Sequence, residues 1–276
     1  MNISEIINLA QYPLDNIDSF AYTALVNSCK QQLAEDGCCL LPGFIKSGAL
    51  ENAKQEAVTL AKNGYQMRHY FAYDDINDDT LNRNLDDLPE NHPLRFKSLT
   101  KIRFIARDLI DLQNPIQKIH VWPNMCTFLQ RVMDLPTVYT NDCPLSSCVF
   151  TVAEEGELQD WHFDGTEFIV TLMLEDSEEG GNFEFVRNLR KPGIEDDFEN
   201  IAKVLNNQHP DINRPNIQPG ALTLFKGKYS FHRASPVKGD GRRIMAVLSY
   251  ETVPGKTGSD EYLKLFYGRT LAEAIR

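Results

Sequence analysis

The stretch Trp161-His162-Phe163-Asp164-Gly165-Thr166-Glu167-Phe168-Ile169-Val170-Thr171-Leu172-Met173-Leu174 sets a polar, chemistry-bearing segment directly before the most apolar strand signal of the chain. Phe168 to Leu174 is β-branched and aromatic over strand length. Working outward, similar runs recur at Val138-Tyr139-Thr140, Ser147-Cys148-Val149-Phe150-Thr151-Val152, Phe183-Glu184-Phe185-Val186, Ala221-Leu222-Thr223-Leu224-Phe225 and Ile244-Met245-Ala246-Val247-Leu248-Ser249-Tyr250, separated by Gly, Pro, Asn and Asp clusters. Upstream, Phe20, Leu25, Val26, Cys29 and Leu33 recur at helical spacing and predict a helix over 17–35 that Gly37 stops. Cys38 to Phe44 reads as a buried strand closed by Pro42-Gly43, and Ser47 as the cap of a helix over 47–62. Residues 102–112 and 123–133 also read as helical, as does an insertion at 196–206. Helices first and strands after predict an α+β fold, a helix-flanked antiparallel double sheet of the jelly-roll type.

No boundary splits the chain, so 1–276 is expected to be one domain: a mainly helical part at 1–135, a jelly-roll core at 136–255 and a tail at 256–276. The polar segment 65–100, with Tyr65, Tyr70, Phe71 and Tyr73, reads as a long loop and a candidate lid. Hydrophobic residues make up 42% of the 276, enough for a substantial core and too many for a disordered chain. The net charge of −11 repels phosphate backbones and argues against nucleic acid as a partner. Six cysteines without a CxxC pair point to reduced thiols. Neither a basic signal peptide nor a membrane-length apolar run is recognisable, so a cytoplasmic protein with no membrane partner is expected. A homo-oligomer is compatible with the sequence.

On an extended backbone His162 and Asp164 project to the same side and can reach one metal ion. About one such His-x-acid triplet is expected by chance from six His and 39 acids. A second apolar strand, Ala221 to Phe225, is introduced by Gln218-Pro219-Gly220 and followed by Phe231-His232-Arg233, so sheet topology can bring His232 to the same mouth. Two imidazoles and one carboxylate on one octahedral face suit non-haem Fe(II) and leave three positions open for a bidentate co-substrate and dioxygen. A structural zinc site would close its coordination with a fourth ligand, and none is apparent. Arg243 at the start of the closing strand, with Arg242 as the alternative, can present a planar fork to the far carboxylate of a dicarboxylate co-substrate. His69, His92, His120 and His209 have no partner at ligand spacing. Gly180 and Gly181 lack the Lys-Ser/Thr of a phosphate loop and read as a tight strand entry.

At these residues the chain resembles the iron(II)/2-oxoglutarate-dependent dioxygenases. The likeness covers 36–44 and, more strongly, 159–255. It is carried by Trp-His-Phe-Asp-Gly-Thr-Glu-Phe from Trp161, Glu-Gly-Gly-Asn-Phe-Glu-Phe-Val from Glu179, Pro-Gly-Ala-Leu-Thr-Leu-Phe-Lys-Gly from Pro219 and His-Arg-Ala-Ser-Pro-Val from His232. Within that superfamily it is similar to a branch of hydroxylases and radical halogenases acting on free amino acids, lysine among them. The resemblance implies a double-stranded β-helix, with His162, Asp164 and His232 as Fe(II) ligands and Arg243 as the 2-oxoglutarate anchor. It implies hydroxylation of an unactivated C–H bond with O2, releasing succinate and carbon dioxide. Halogenases of this branch carry Gly or Ala at the carboxylate position, freeing a site for chloride; Asp164 fills it here, so hydroxylation is expected. Two other readings are the same chemistry on a peptide or protein side chain, and a non-catalytic jelly roll that binds a metal or small ligand. A free amino acid needs a cation and an anion facing its head group. Arg68 is the candidate carboxylate clamp, Glu167 the candidate amine partner, and Tyr267 the candidate closure from the tail.

Overall fold

Alternation along the strands sorts this chain into a packed outer face and a cavity-lining inner one. In the strand Arg243–Leu248, Ile244, Ala246 and Leu248 are buried in the main hydrophobic core, whereas Arg243, Met245 and Val247 line the cavity on the other side. The computed structural model describes residues 1–73 and 85–274.

The chain begins with a short helix, α1 (Ile3–Ile6), and the long α2 (Phe20–Glu35), whose cap Ser19 accepts a hydrogen bond from the Tyr22 amide. Gly37, at φ +77°, turns it into β1 (Cys38–Leu41). Then come α3 (Ser47–Leu60), β2 (Tyr65–Ala72), β3 (Lys97–Ile105), α4 (Pro115–His120) and α5 (Pro123–Met133). The second half holds β4 (Tyr139–Thr140), β5 (Cys148–Ala153), β6 (Leu158–His162), β7 (Ile169–Glu175), β8 (Glu179–Gly180), β9 (Phe183–Val186) and α6 (Phe198–Leu205). It closes with β10 (Leu222–Phe225), β11 (Phe231–Ala234), β12 (Val237–Lys238), β13 (Arg243–Leu248), β14 (Tyr250–Glu251) and α7 (Asp260–Tyr267).

Among the described residues one antiparallel sheet runs β1-β10-β7-β13-β5-β3-β6-β11-β9, with β2 on the free edge of β3. The nine-residue β3 makes this sheet curl. Its Arg103–Ile105 end pairs with β5 while Thr100 and Lys101 pair with β6, so consecutive strands share one edge and diverge from it. That divergence folds β6, β11 and β9 over β7, β10 and β13, as expected for a double-stranded β-helix. The helices cover the outer face, where Tyr22 of α2 and Phe128 of α5 meet edge to face at 6.5 Å. No described helix is long and apolar enough to cross a membrane. All six cysteines are free thiols, and burial pushes Cys38 and Cys148 up to about 12, so they are inert at neutral pH.

Several sequence expectations are corrected. Residues 102–112 are not a helix: Ser98, Thr100, Ile102 and Phe104 alternate inward along β3, which gives way to a 3-10 turn at Arg107–Leu109. The long stems of Lys101 and Arg103 hide this period of two. Part of the expected loop at 65–100 is paired backbone, with Tyr65–Ala72 running beside β3 for its whole length, so a strand pair stands among the helices of the first half. The rest of the candidate lid includes 74–84, which lie outside the described residues. Lys46 rather than Ser47 is the cap of α3. Leu172 is fully buried in the middle of β7, between β10 and β13. Leu172→Ala is expected to cost about 2–5 kcal/mol, read from denaturant unfolding of the purified protein.

Candidate metal centre

His162 ends β6 and His232 lies in β11, and the two face each other directly in the antiparallel register. Their ring centroids are 4.1 Å apart. Asp164 follows two residues after His162, its backbone amide donating to the carbonyl of Gly227 at 3.1 Å. His162 Nε2 stands 3.6 Å from Asp164 Oδ1, and His232 Nε2 stands 3.4 Å from Oδ2. The ligand atoms of all three lie within 4.8 Å of one another, and among the described residues no other group of His, Cys, Asp and Glu meets that condition.

The tautomers follow from the partners. His162 Nδ1 lies 2.7 Å from the carbonyl of Asp160, and His232 Nδ1 lies 2.8 Å from that of Ser230. A carbonyl only accepts, so both Nδ1 atoms carry the proton and both unprotonated Nε2 atoms face the space beside Asp164, that of His162 also accepting from the Gln159 amide at 3.1 Å. Burial, reinforced by His232, lowers the His162 pKa and keeps the ring neutral. Burial alone would raise the Asp164 pKa, but as the pH falls a proton taken up by a flanking imidazole, His232 above all, outweighs it and holds the carboxyl well below the usual range. Asp164 Oδ2 is nonetheless buried without a hydrogen-bond partner. Two unprotonated Nε2 atoms beside an ionised, unsatisfied carboxylate fit a divalent cation.

Residues 93–258 match the model of the Halogenase D family. The chain belongs to that family. No curated protein sequence matches it. Among solved structures, this Halogenase D member is similar to the epimerase SnoN, whose structure is a complex with Fe3+, alpha ketoglutarate and nogalamycin RO. The two share 13% identity at a TM-score of 0.56, over 86% of this chain and 93% of SnoN. It is also similar to the alpha ketoglutarate-dependent carbocyclase SnoK, with 12% identity and a TM-score of 0.51 over 80% and 82% of the two chains. An oxidoreductase of the 2OG-Fe(II) oxygenase family from Burkholderia pseudomallei gives 13% identity and 0.50 over 83% and 91%. The fold is that of the 2-oxoglutarate–Fe(II) oxygenases.

The triad opens into a cavity of about 430 Å³ enclosed by the curled sheet, into which Arg243 also faces. Arg243 Nε is buried without a partner and is left for an acceptor from outside the chain; Thr223 Oγ1, likewise unpartnered, lies elsewhere on the cavity wall, level with Val247. Burial pushes Arg243 down to about 10, opposed by the nearby Asp176 carboxylate, so it is charged at neutral pH. Gly181 leaves room for it: a Cβ there would sit 3.2 Å from Arg243 Cδ and 2.4 Å from Ser177 Oγ. Arg242 faces the other way and binds Glu175 at 2.8 Å.

Of the substrate candidates, Tyr267 lines the cavity, edge to face with Phe104. Arg68 does not: Met67 takes the buried side of β2, leaving Arg68 exposed. Glu167 is also outside, its carboxylate accepting from Lys228 Nζ and Tyr229 Oη at the surface. Sequence reading missed Gln159, whose amide lies 3.1 Å from His162 Nε2. Gln159 pairs with Ala234 while His162 pairs with His232, so β6 spends three steps where β11 spends two. This bulge puts both side chains into the cavity despite their odd spacing.

Gly227 packs against the third donor so tightly that a Cβ there would fall 1.7 Å from Asp164 Oδ2. Gly227→Ala is therefore expected to displace the carboxylate and weaken Fe(II) binding by about tenfold or more, with little change in melting temperature. Anaerobic metal titration and thermal unfolding check this.

Proposed function

We propose that the chain is an Fe(II)- and 2-oxoglutarate-dependent hydroxylase acting on an unactivated C–H bond of a free amino acid, with lysine first among the candidates. The observation that carries this reading is the convergence of His162 Nε2, His232 Nε2 and an unsatisfied Asp164 carboxylate on one point inside a cavity. His162, Asp164 and His232 would hold the metal. Bound together, ferrous iron and 2-oxoglutarate supply the power to activate O2 and oxidise a C–H bond, with succinate and carbon dioxide released.

The chain's own side chains set the conditions for that chemistry. The carbonyls of Asp160 and Ser230 hold the imidazoles in the one tautomer that leaves Nε2 unprotonated. The Phe225 and Phe183 rings pack on His232 at 5.0 and 5.9 Å and fix its plane. Arg243 offers a charged guanidinium with an unpartnered Nε to the far carboxylate of 2-oxoglutarate, while Arg242 is occupied by Glu175. Phe104, Val149, Met245 and Val247 give the remaining wall an apolar surface that excludes water from the oxidised carbon. Asp164 supports hydroxylation over halogenation, since its carboxylate occupies the position a halide would need.

Succinate formation with Fe(II), ascorbate and a panel of free amino acids tests this reading. Stimulation by one amino acid, with product heavier by one oxygen atom, is expected. Stimulation only by peptides, or none at all, would overturn it. Asp164→Ala is expected to abolish hydroxylated product. Arg243→Met should raise the KM for 2-oxoglutarate by about tenfold or more, while Arg242→Met leaves it unchanged, as steady-state kinetics will show.

A further inference from the structure

Besides the metal-binding triad and Arg243, the same cavity is lined by Asn141, Glu251, Lys256 and Tyr262. Glu251 closes β14 with its side chain only 13% exposed, whereas the Lys256 side chain is 57% exposed. The Glu251 carboxylate is weakly held: Asn141 Nδ2 and Lys256 Nζ each approach it at 3.3 Å. Asn141 is buried and fixed, its Oδ1 accepting from the Cys143 amide at 2.9 Å and its Nδ2 also donating to the Lys256 carbonyl at 3.2 Å.

We infer that Glu251 and Lys256 form the head-group clamp for the substrate, Glu251 taking the α-ammonium and Lys256 the α-carboxylate of a free amino acid. This rests on the proposed function and supplies the cation and anion that Arg68 and Glu167 do not bring to the cavity. One anion beside one cation is the electrostatic image of an amino-acid zwitterion. In the free protein the two neutralise each other, so neither is a lone charge against the cavity wall. When a zwitterion enters, each exchanges its partner for an opposite charge of the ligand, and the net charge of the site stays the same. Glu251, withdrawn from water, gains the stronger ionic hydrogen bond, and Asn141 keeps its carboxylate in place.

The surrounding wall suits an ammonium group. Tyr262 stacks on Phe266 at 4.4 Å, and Phe266 meets Phe104 at 5.4 Å, so aromatic rings line this part of the cavity. Gly258 makes room for the Tyr262 ring, which a Cβ would approach to 2.6 Å. The apolar Val149 and Val247 offer a track for the aliphatic part of the ligand. A residue within a peptide has neither charge of the head group and would leave the Glu251–Lys256 pair unbroken.

The test is calorimetric titration of the Mn(II)-loaded protein with 2-oxoglutarate present and oxygen absent, using the amino acid that best stimulates succinate formation by the wild type. Lys256→Met is expected to weaken its binding about tenfold or more and to leave binding of the corresponding decarboxylated amine unchanged. Glu251→Gln is expected to weaken both, and Lys256→Arg to bind within about twofold of wild type. Unchanged 2-oxoglutarate affinity in all variants reports an intact fold. Wild-type amino-acid affinity in both Lys256→Met and Glu251→Gln would overturn the clamp while leaving the hydroxylase reading standing. Failure of every free amino acid to stimulate the wild type would overturn that reading and the clamp with it.

Discussion

Two backbone carbonyls, of Asp160 and Ser230, decide what the centre of this molecule can do. By accepting the Nδ1 protons of His162 and His232 they leave both Nε2 atoms unprotonated where they face Asp164. Without that constraint the two buried rings would be free to donate to the carboxylate, and the cluster would be a closed hydrogen-bonded network. With it, the carboxylate keeps an orphaned oxygen, whose burial is tolerable only if something positive completes it.

The rest of the fold serves to hold these carbonyls and rings in register. The long β3 carries β5 and β6 on one edge and curls the sheet, bringing β11 opposite β6 so that His232 pairs with His162. The absence of a side chain at Gly227 admits Asp164, and the absence of one at Gly181 admits the stem of Arg243. Strand alternation then divides the labour. Ile244, Ala246 and Leu248 anchor β13 in the core, and Arg243, Met245 and Val247 between them furnish the cavity.

Much of this is legible in the amino-acid sequence because strands have a period of two. His162 and Asp164 share a side, and Arg243 shares one with Met245 and Val247 while Arg242 takes the other. The apolar strands β5, β7, β9, β10 and β13 announce themselves by composition. The polar ones do not: β2, β3, β6 and β11 are built from Lys, Arg, Gln, Asp and His whose stems or single faces are buried. Gln159 is hidden for a different reason, since a bulge shifts the alternation that would have placed it. Nor does local sequence say which of 28 cations and 39 acids faces a cavity. Arg68 and Glu167 satisfy the chemistry of an amino-acid head group yet point outward, whereas Glu251 and Lys256 come to the cavity only through the pairing of β14 with β4 and the turn after it.

The central claim is that three protein donors converge on one metal and leave part of its coordination sphere to small molecules. Co(II) titration of the purified protein, followed by visible absorption, tests it most directly. The account predicts one ion per chain, with the weak spectrum of a six-coordinate site that changes when 2-oxoglutarate is added. An intense tetrahedral spectrum indifferent to 2-oxoglutarate, or stoichiometric binding that survives His162→Ala and His232→Ala together, would contradict it.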